Sequence, residues 1–166
     1  AHIALAQLES VLPGQVLLIT QNVDDLHERA GSKNVLHMHG ELLSVRCCHS
    51  QRRFSMEKPF DGDSRCECCT PSQKIRPDIV WFGEMPLMMD VIENALINAA
   101  LFVSIGTSGN VYPAAGFVQV ASRSNDVRTI EINLEPSLNA DQFSKGYYGP
   151  ASETVPDFIS KLLDNI

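Results

Sequence analysis

Three runs rich in branched apolar residues, each stopping abruptly in small polar ones, constrain this chain more than any other feature. Val16-Leu17-Leu18-Ile19 gives way to Thr20-Gln21-Asn22-Val23-Asp24, and Leu101-Phe102-Val103-Ser104-Ile105 to Gly106-Thr107-Ser108-Gly109. Arg128-Thr129-Ile130-Glu131-Ile132-Asn133 gives way to Leu134-Glu135-Pro136. The first two, uncharged and without an in-out alternation, read as strands of a parallel sheet covered on both faces, and the third as a further strand. Helical patterns lie between them, so the expected class is α/β. Open α/β sheets bind ligands at the carboxyl ends of their strands. Three polar clusters at comparable positions imply a shared crevice suited to a nucleotide.

The intervening segments fit that class. Ile3, Leu5, Leu8, Val11 and Leu12 have helical spacing, closed by Pro13-Gly14. Residues 24–30 read as a short helical turn ended by Gly31, and Val35-Leu36 as a short extended piece. Ile79 to Phe82 reads as a compact strand ended by Gly83. Residues 90–100 form a helical pattern with Asp90 as N-cap, Pro113 opens a helix to about Ser122, and 137–148 read as a loop. The last helix, Thr154 to Asn165, packs through Val155, Phe158, Ile159, Leu162 and Leu163. The chain starts inside a helical rhythm without an initiator Met, which reads as a fragment.

With 166 residues the chain suits one domain, and 44% apolar with 20% charged residues is a globular balance. A net charge of −7 argues against general nucleic-acid binding and suits basic, lysine-bearing protein segments. No apolar run reaches the roughly 20 residues of a membrane span, and no secretory leader is visible. The expectation is a cytoplasmic protein with no membrane partner. Residues 44–76 hold seven Lys/Arg against four Asp/Glu, a local reversal that suggests an inserted module.

The candidate chemistry sits in two places. At the end of the first strand, Asn22 and Asp24 offer an amide and a carboxylate to a sugar or a positioned water. His39 can act as a general base, with Gly40 letting backbone approach closely. His37 alternates with it on an extended piece, and either histidine can instead be a satisfied core residue. In the insert, Cys66 and Cys69 form a CxxC knuckle, and 18 residues separate Cys47 from it. Two thiolates at this spacing can hold one tetrahedral metal. The position expected for a fourth ligand carries Ser50, which leaves Cys48, His49, Cys68 or water, or an empty site of reduced thiols. Five cysteines without a secretion signal favour thiols over disulfides.

Gln21-Asn22-Val23-Asp24-Asp25-Leu26-His27 followed by His37-Met38-His39-Gly40 resembles the core of the sirtuins, NAD-dependent protein lysine deacylases. The resemblance covers nearly the whole chain but only about the last two thirds of a family member. It implies a Rossmann-like parallel sheet with helices on both faces, formed by residues 1–43 and 77–166, and a zinc-ribbon-like insert at 44–76. The family's first strand and Gly-rich loop are absent from these residues. The resemblance further implies that acyl-lysines of proteins are cleaved with consumption of NAD, giving nicotinamide and O-acyl-ADP-ribose. His39 would take a proton from a ribose hydroxyl, with Asn22 and Asp24 orienting ribose and water. Gln21, Asn22, Val23, Asp24, Gly106, Thr107, Ser108, Asn133, Leu134, Glu135 and Ala151 would contact NAD. Val80, Trp81, Phe82 and Gly83 would pair with the substrate peptide as an added strand. Zinc on Cys47, Cys66 and Cys69 would be structural. The wording Gly106-Thr107-Ser108-Gly109-Asn110-Val111-Tyr112-Pro113 most resembles the bacterial branch that includes desuccinylases. The alternatives are a sirtuin-fold fragment unable to hold NAD fully, and an unrelated hydride-transfer enzyme. The second would require a GxGxxG loop that these residues lack.

Overall fold

The computed structural model describes residues 1–56, 59–123 and 126–165. The chain is α/β and divides into two compact units, Leu17–Met88 and Ala1–Val16 with Met89–Ile166.

The second of these is built on strands β6 (Leu101–Ile105), β7 (Arg128–Asn133) and β8 (Lys145–Tyr148), which pair in parallel in that order. Strands β6 and β7 coincide with the apolar runs, and the register brings Ile105 beside Ile132, so their carboxyl ends lie side by side. Ile130 and Ile132 are fully buried. Helix α3 (Met89–Ile97) buries Ile92 and Leu96, and α4 (Phe117–Ala121) packs on it. Helix α5 (Ala151–Leu163) buries Val155, Phe158 and Ile159 and meets both β7 and α1 (His2–Val11).

Four expectations shift here. Helix α1 turns Ala4, Leu5 and Leu8 inward and leaves Ile3 and Val11 exposed, because i, i+3 and i+4 positions share a face. Asp90 lies in the first turn of α3 instead of capping it, where a carboxylate still favours the helix dipole. Pro113 opens a 3₁₀ turn, Ala114–Gly116, before the α-helix begins. The supposed loop 137–148 contains β8, an edge strand that exists through pairing with β7.

The Leu17–Met88 unit holds β1 (Leu18–Thr20) and β2 (Val35–His37), paired in parallel, with the one-turn helix α2 (Leu26–Arg29) between them. An antiparallel sheet follows, in the order β4-β3-β5, from β3 (Gly40–Cys47), β4 (Arg53–Ser55) and β5 (Ile75–Ile79). Strand β5 starts earlier than expected and stops at Ile79, so Val80 to Phe82 lie beyond it. Pro77 is tolerated because β5 is an edge strand. Gly40 has φ +82, and a Cβ there would collide with the Asp78 carbonyl oxygen. That explains the glycine between His39 and β3. Among the described residues no helix is long and apolar enough to cross a membrane.

Candidate functional site

Both histidines of the His37-Met38-His39 step are tied to the loop that follows β1. The His39 Nδ1 lies 3.0 Å from the Gln21 carbonyl oxygen. A carbonyl only accepts, so Nδ1 carries a hydrogen, and in the neutral ring the lone pair is then on Nε2. His39 is half-buried, whereas Met38 before it is wholly buried, so the imidazole is not lost among aliphatic neighbours. His37 is buried; its Nε2 meets the Glu28 carboxylate at 2.8 Å, and its Nδ1 stands 3.4 Å from the Asn22 carbonyl. Burial works against the charge on Glu28, but the His37 hydrogen bond, a backbone N–H and the positive field of His37 and His27 outweigh it. Its pKa is held below the ordinary carboxylate value.

The loop itself is braced at each residue. The Asn22 N–H donates to the Thr20 hydroxyl, the Val23 carbonyl accepts from the Leu42 N–H, and Asp24 Oδ1 accepts from the Leu26 N–H. The Asn22 side chain is exposed, and Asp24 keeps one carboxylate oxygen beyond its α2 contact. On the other side of His39, its carbonyl accepts from the Val80 N–H at 2.8 Å. One residue thus joins the Gln21–Asp24 loop, through its ring, to the Val80–Gly83 segment, through its backbone. Val80 is half-buried, and Trp81, Phe82 and Gly83 are exposed in a turn closed by the Glu84 N–H on the Trp81 carbonyl. Gly83 has φ +89, the conformation that a type II turn requires of its third residue.

In the β6-β7-β8 unit, Gly106 turns at φ +66 with open space above it. The Asn133 side-chain amide donates to the Thr107 carbonyl at 2.7 Å and accepts from the Leu134 N–H, stitching the turns after β6 and β7 together. The Ser104 and Thr107 hydroxyls bond to each other, and the Ser108 carbonyl accepts from the Leu138 N–H. Asn139 bonds to the Ala115 carbonyl and the Ser137 hydroxyl, and a Cβ at Gly109 would collide with it. Leu134 and Glu135 are exposed at the end of β7, and Ala151 is the first residue of α5. Beneath them the buried Glu131 accepts from the Tyr148 hydroxyl and the Ser137 N–H; that bond and burial raise the Tyr148 pKa.

The cysteine cluster resolves the open ligand. The Sγ atoms of Cys47, Cys66, Cys68 and Cys69 lie within 4.8 Å of one another, with Cys47 and Cys68 each 3.7 Å from Cys69. Zinc bound to four thiolates at about 2.3 Å sets sulfurs about 3.8 Å apart, so the donor set fits that ion. Cys68 completes the set, and Ser50, the residue standing where a ligand was expected, holds Cys68 through its hydroxyl at 3.0 Å. The five cysteines are free thiols, and Cys48 is the exposed one outside the cluster. The Ser50 hydroxyl and the Ser50 and His49 N–H groups lower the Cys47 pKa, while burial and the neighbouring sulfurs raise that of Cys69. A divalent cation would reverse that opposition by favouring the thiolate at every position.

Sequence spacing found Cys47, Cys66 and Cys69 but could not single out Cys68, and it gave no sign of Glu28 behind His37. It also gave no sign of how Glu84 is held, its carboxylate taking a forked bond from Arg76 at 2.6 and 2.7 Å. The signal available was the Arg46, Arg76 and Glu84 charge pattern flanking a Gly turn.

With this geometry in place, likeness to known proteins becomes specific. Residues 1–113 match the Sir2 family. The chain is 56% identical over 165 residues to the NAD-dependent protein deacylase SIR2rp3 of Trypanosoma brucei brucei, covering 98% of this chain and 67% of that protein. It is 52% identical over 166 residues to the NAD-dependent protein deacylase of Escherichia coli K12, covering 100% of this chain. The chain spans 59% of the length of that relative. Among solved structures, a Sir2 homologue mutant in complex with ADP ribose superposes with a TM-score of 0.88 at 35% identity, over 99% of this chain and 66% of that one. A Sir2 homologue in complex with NAD gives 0.85 at 32% identity, over 99% and 65%. This chain belongs to the Sir2 family.

Proposed function

We propose that this chain carries the NAD-dependent protein lysine deacylase chemistry for which its relatives are named. It would remove acetyl groups, and as a second class succinyl groups, from protein lysines, giving nicotinamide and O-acyl-ADP-ribose. The observation that carries the reading is His39: its Nδ1 is spent on the Gln21 carbonyl, its Nε2 is left as a base, and its backbone is joined to Val80. NAD, when bound, supplies the ribose carbon that takes up the acyl oxygen, and nicotinamide as the leaving group. His39 Nε2 takes the proton from a ribose hydroxyl, and the hydrogen bond on Nδ1 keeps the ring in the tautomer that can. Asn22 and Asp24 orient the sugar and the water, a positioning role.

In the Leu17–Met88 unit Gln21 and Val23, and in the other unit Gly106, Thr107, Ser108, Asn133, Leu134, Glu135 and Ala151, are the further candidates for nucleotide contact. Their amides, hydroxyls and carboxylate suit a diol and a base edge. Asn133 acts through the turns it holds together, since both ends of its amide are engaged. Val80, Trp81, Phe82 and Gly83 offer backbone beside His39 to an extended acyl-lysine peptide. A Sir2 protein solved with a p53 peptide and NAD+ superposes with a TM-score of 0.78 at 29% identity, which favours an acylated protein as partner. Residues 44–76 act as the zinc module between the two parts, 1–43 and 77–166, of the nucleotide-binding region. Five free thiols suit a reducing compartment, the cytoplasm.

The test is incubation of the chain, and of the longest natural polypeptide that contains it, with acetyl- and succinyl-lysine peptides, with and without NAD. Loss of the acyl mass only when NAD is present supports the reading. No mass loss and no ADP-ribose binding by calorimetry would leave a sirtuin-fold scaffold without chemistry.

A further inference from the structure

The segment leaving β5 is pinned to the His39 region at both ends, by the Val80 N–H on the His39 carbonyl and the Leu87 N–H on the Met38 carbonyl, each at 2.8 Å. Between those pins Trp81, Phe82 and Met85 are exposed, so little apolar burial holds the turn, and Phe82 is 103% exposed. What holds it is Glu84. One carboxylate oxygen takes the Trp81 N–H at 3.1 Å, and the two oxygens together receive the Arg76 guanidinium as a fork. Arg46 adds a third contact at 3.3 Å. Arg46 and Arg76 are cross-strand partners in β3 and β5, immediately before Cys47 pairs with Ile75. Two guanidinium groups directly opposite repel unless an anion lies between them. Both also donate to the Ile79 carbonyl, the last of β5.

We propose that Glu84 is a positioning residue for the incoming acyl-peptide. Its carboxylate, gripped by Arg76 and Arg46, staples the 81–84 turn so that the Val80–Gly83 backbone is preformed beside His39. The inference rests on the deacylase reading for what the turn receives, and on geometry alone for how the turn is held. Forked Arg–carboxylate pairs combine strength with fixed orientation, unlike single exposed ion pairs. The Arg123–Glu93 pair is of that weaker kind, a 3.5 Å contact between two exposed side chains.

Trp81 is the single tryptophan of the chain, which makes the turn directly observable. Acrylamide quenching of its fluorescence is compared for wild type, Glu84→Gln, Glu84→Ala and the control Glu93→Gln, all zinc-loaded. Loss of the staple should raise the quenching constant about twofold in both Glu84 variants, as expected for local opening without global unfolding, and leave Glu93→Gln unchanged. Titration with an acetyl-lysine peptide and, separately, with ADP-ribose supplies the second readout. Peptide affinity should fall about tenfold, the loss expected from a charge-assisted bond, while ADP-ribose affinity stays within about twofold. Equal quenching in all four proteins overturns the proposal. So does a loss of both affinities together with a lowered melting temperature, which would make Glu84 a general stabiliser. If wild type binds neither acyl-peptide nor ADP-ribose, the deacylase reading fails, and quenching still decides whether Glu84 holds the turn.

Discussion

In the β6-β7-β8 sheet the strands are held by aliphatic contact: Ile130 and Ile132 are fully buried, with Val155, Phe158 and Ile159 of α5 and Val118 of α4 also in that unit's core. The β4-β3-β5 sheet has little of this. Its buried positions are Gly40, Val45, Cys47 and Asp78, and Leu42 and Leu43 on β3 are exposed. Charge takes the place of oil there. Asp78 meets Arg53 at 2.9 Å and Arg46 at 3.6 Å, Glu84 bridges Arg46 and Arg76, and four cysteines gather at the end of β3. A small sheet that cannot bury a core needs metal or ion pairs to stay ordered. The lesson is that burial carries one unit, while thiolates and carboxylates carry the other and present the candidate peptide-binding turn.

The largest effect that could break this contrast is removal of the metal. Structural zinc in small modules contributes about 10 kcal/mol or more at neutral pH. Chelation should therefore strip hydrogen-exchange protection from β3, β4 and β5 while β6 and β7 keep theirs. Uniform loss across both units would show that the metal supports the whole chain.

The converse substitution is Ile132→Ala, which opens a cavity where the side chain is fully buried. It should cost about 2–5 kcal/mol in denaturant unfolding, with zinc affinity unchanged. A smaller effect is expected for Asp78→Asn. It removes the charge facing Arg46 and Arg53, at a cost of about 1–3 kcal/mol because Arg53 is half exposed and water can respond. That loss should appear in β4-β3-β5 alone.

The smallest effect is on pH. The Arg76 fork, the Trp81 N–H and the positive charge of Arg76 and Arg46 hold the Glu84 pKa at about 2, against an ordinary value of 4.5. A carboxylate whose pKa is depressed on folding adds stability that is complete above its unfolded value and is lost as pH falls through the folded one. Trp81 emission should therefore change between about pH 4.5 and 2 in wild type, and in Glu84→Gln this step should vanish.

Strand β6 was legible as an almost unbroken apolar run, and β7 through the β-branched Thr129, Ile130 and Ile132: both match their sequence runs end to end. The loop residues after them were legible as small and polar, but not the division of labour among them. Asn133 looks like a ligand for a sugar, yet its amide is spent on Thr107 and Leu134. Strand β8 was illegible because Lys145-Gly146-Tyr147-Tyr148 has no apolar alternation and is ordered by pairing with β7 and by Tyr148 on Glu131. Cys68 was hidden for a related reason. A CxxC spacing fixes its own two thiols, whereas the fourth depends on how the loop folds against Ser50. His39 was the most legible candidate residue, but the hydrogen bond that orients its ring came only with the Gln21 carbonyl.

That ring makes a direct test possible. Deacylation by His39→Ala and by wild type should be measured with an acetyl-lysine peptide and NAD, alongside NAD affinity by calorimetry. Turnover should fall about 10²–10⁴-fold, the usual contribution of a general base, while NAD affinity stays within a few-fold. Undiminished turnover in His39→Ala would remove the imidazole from the reaction and contradict the account.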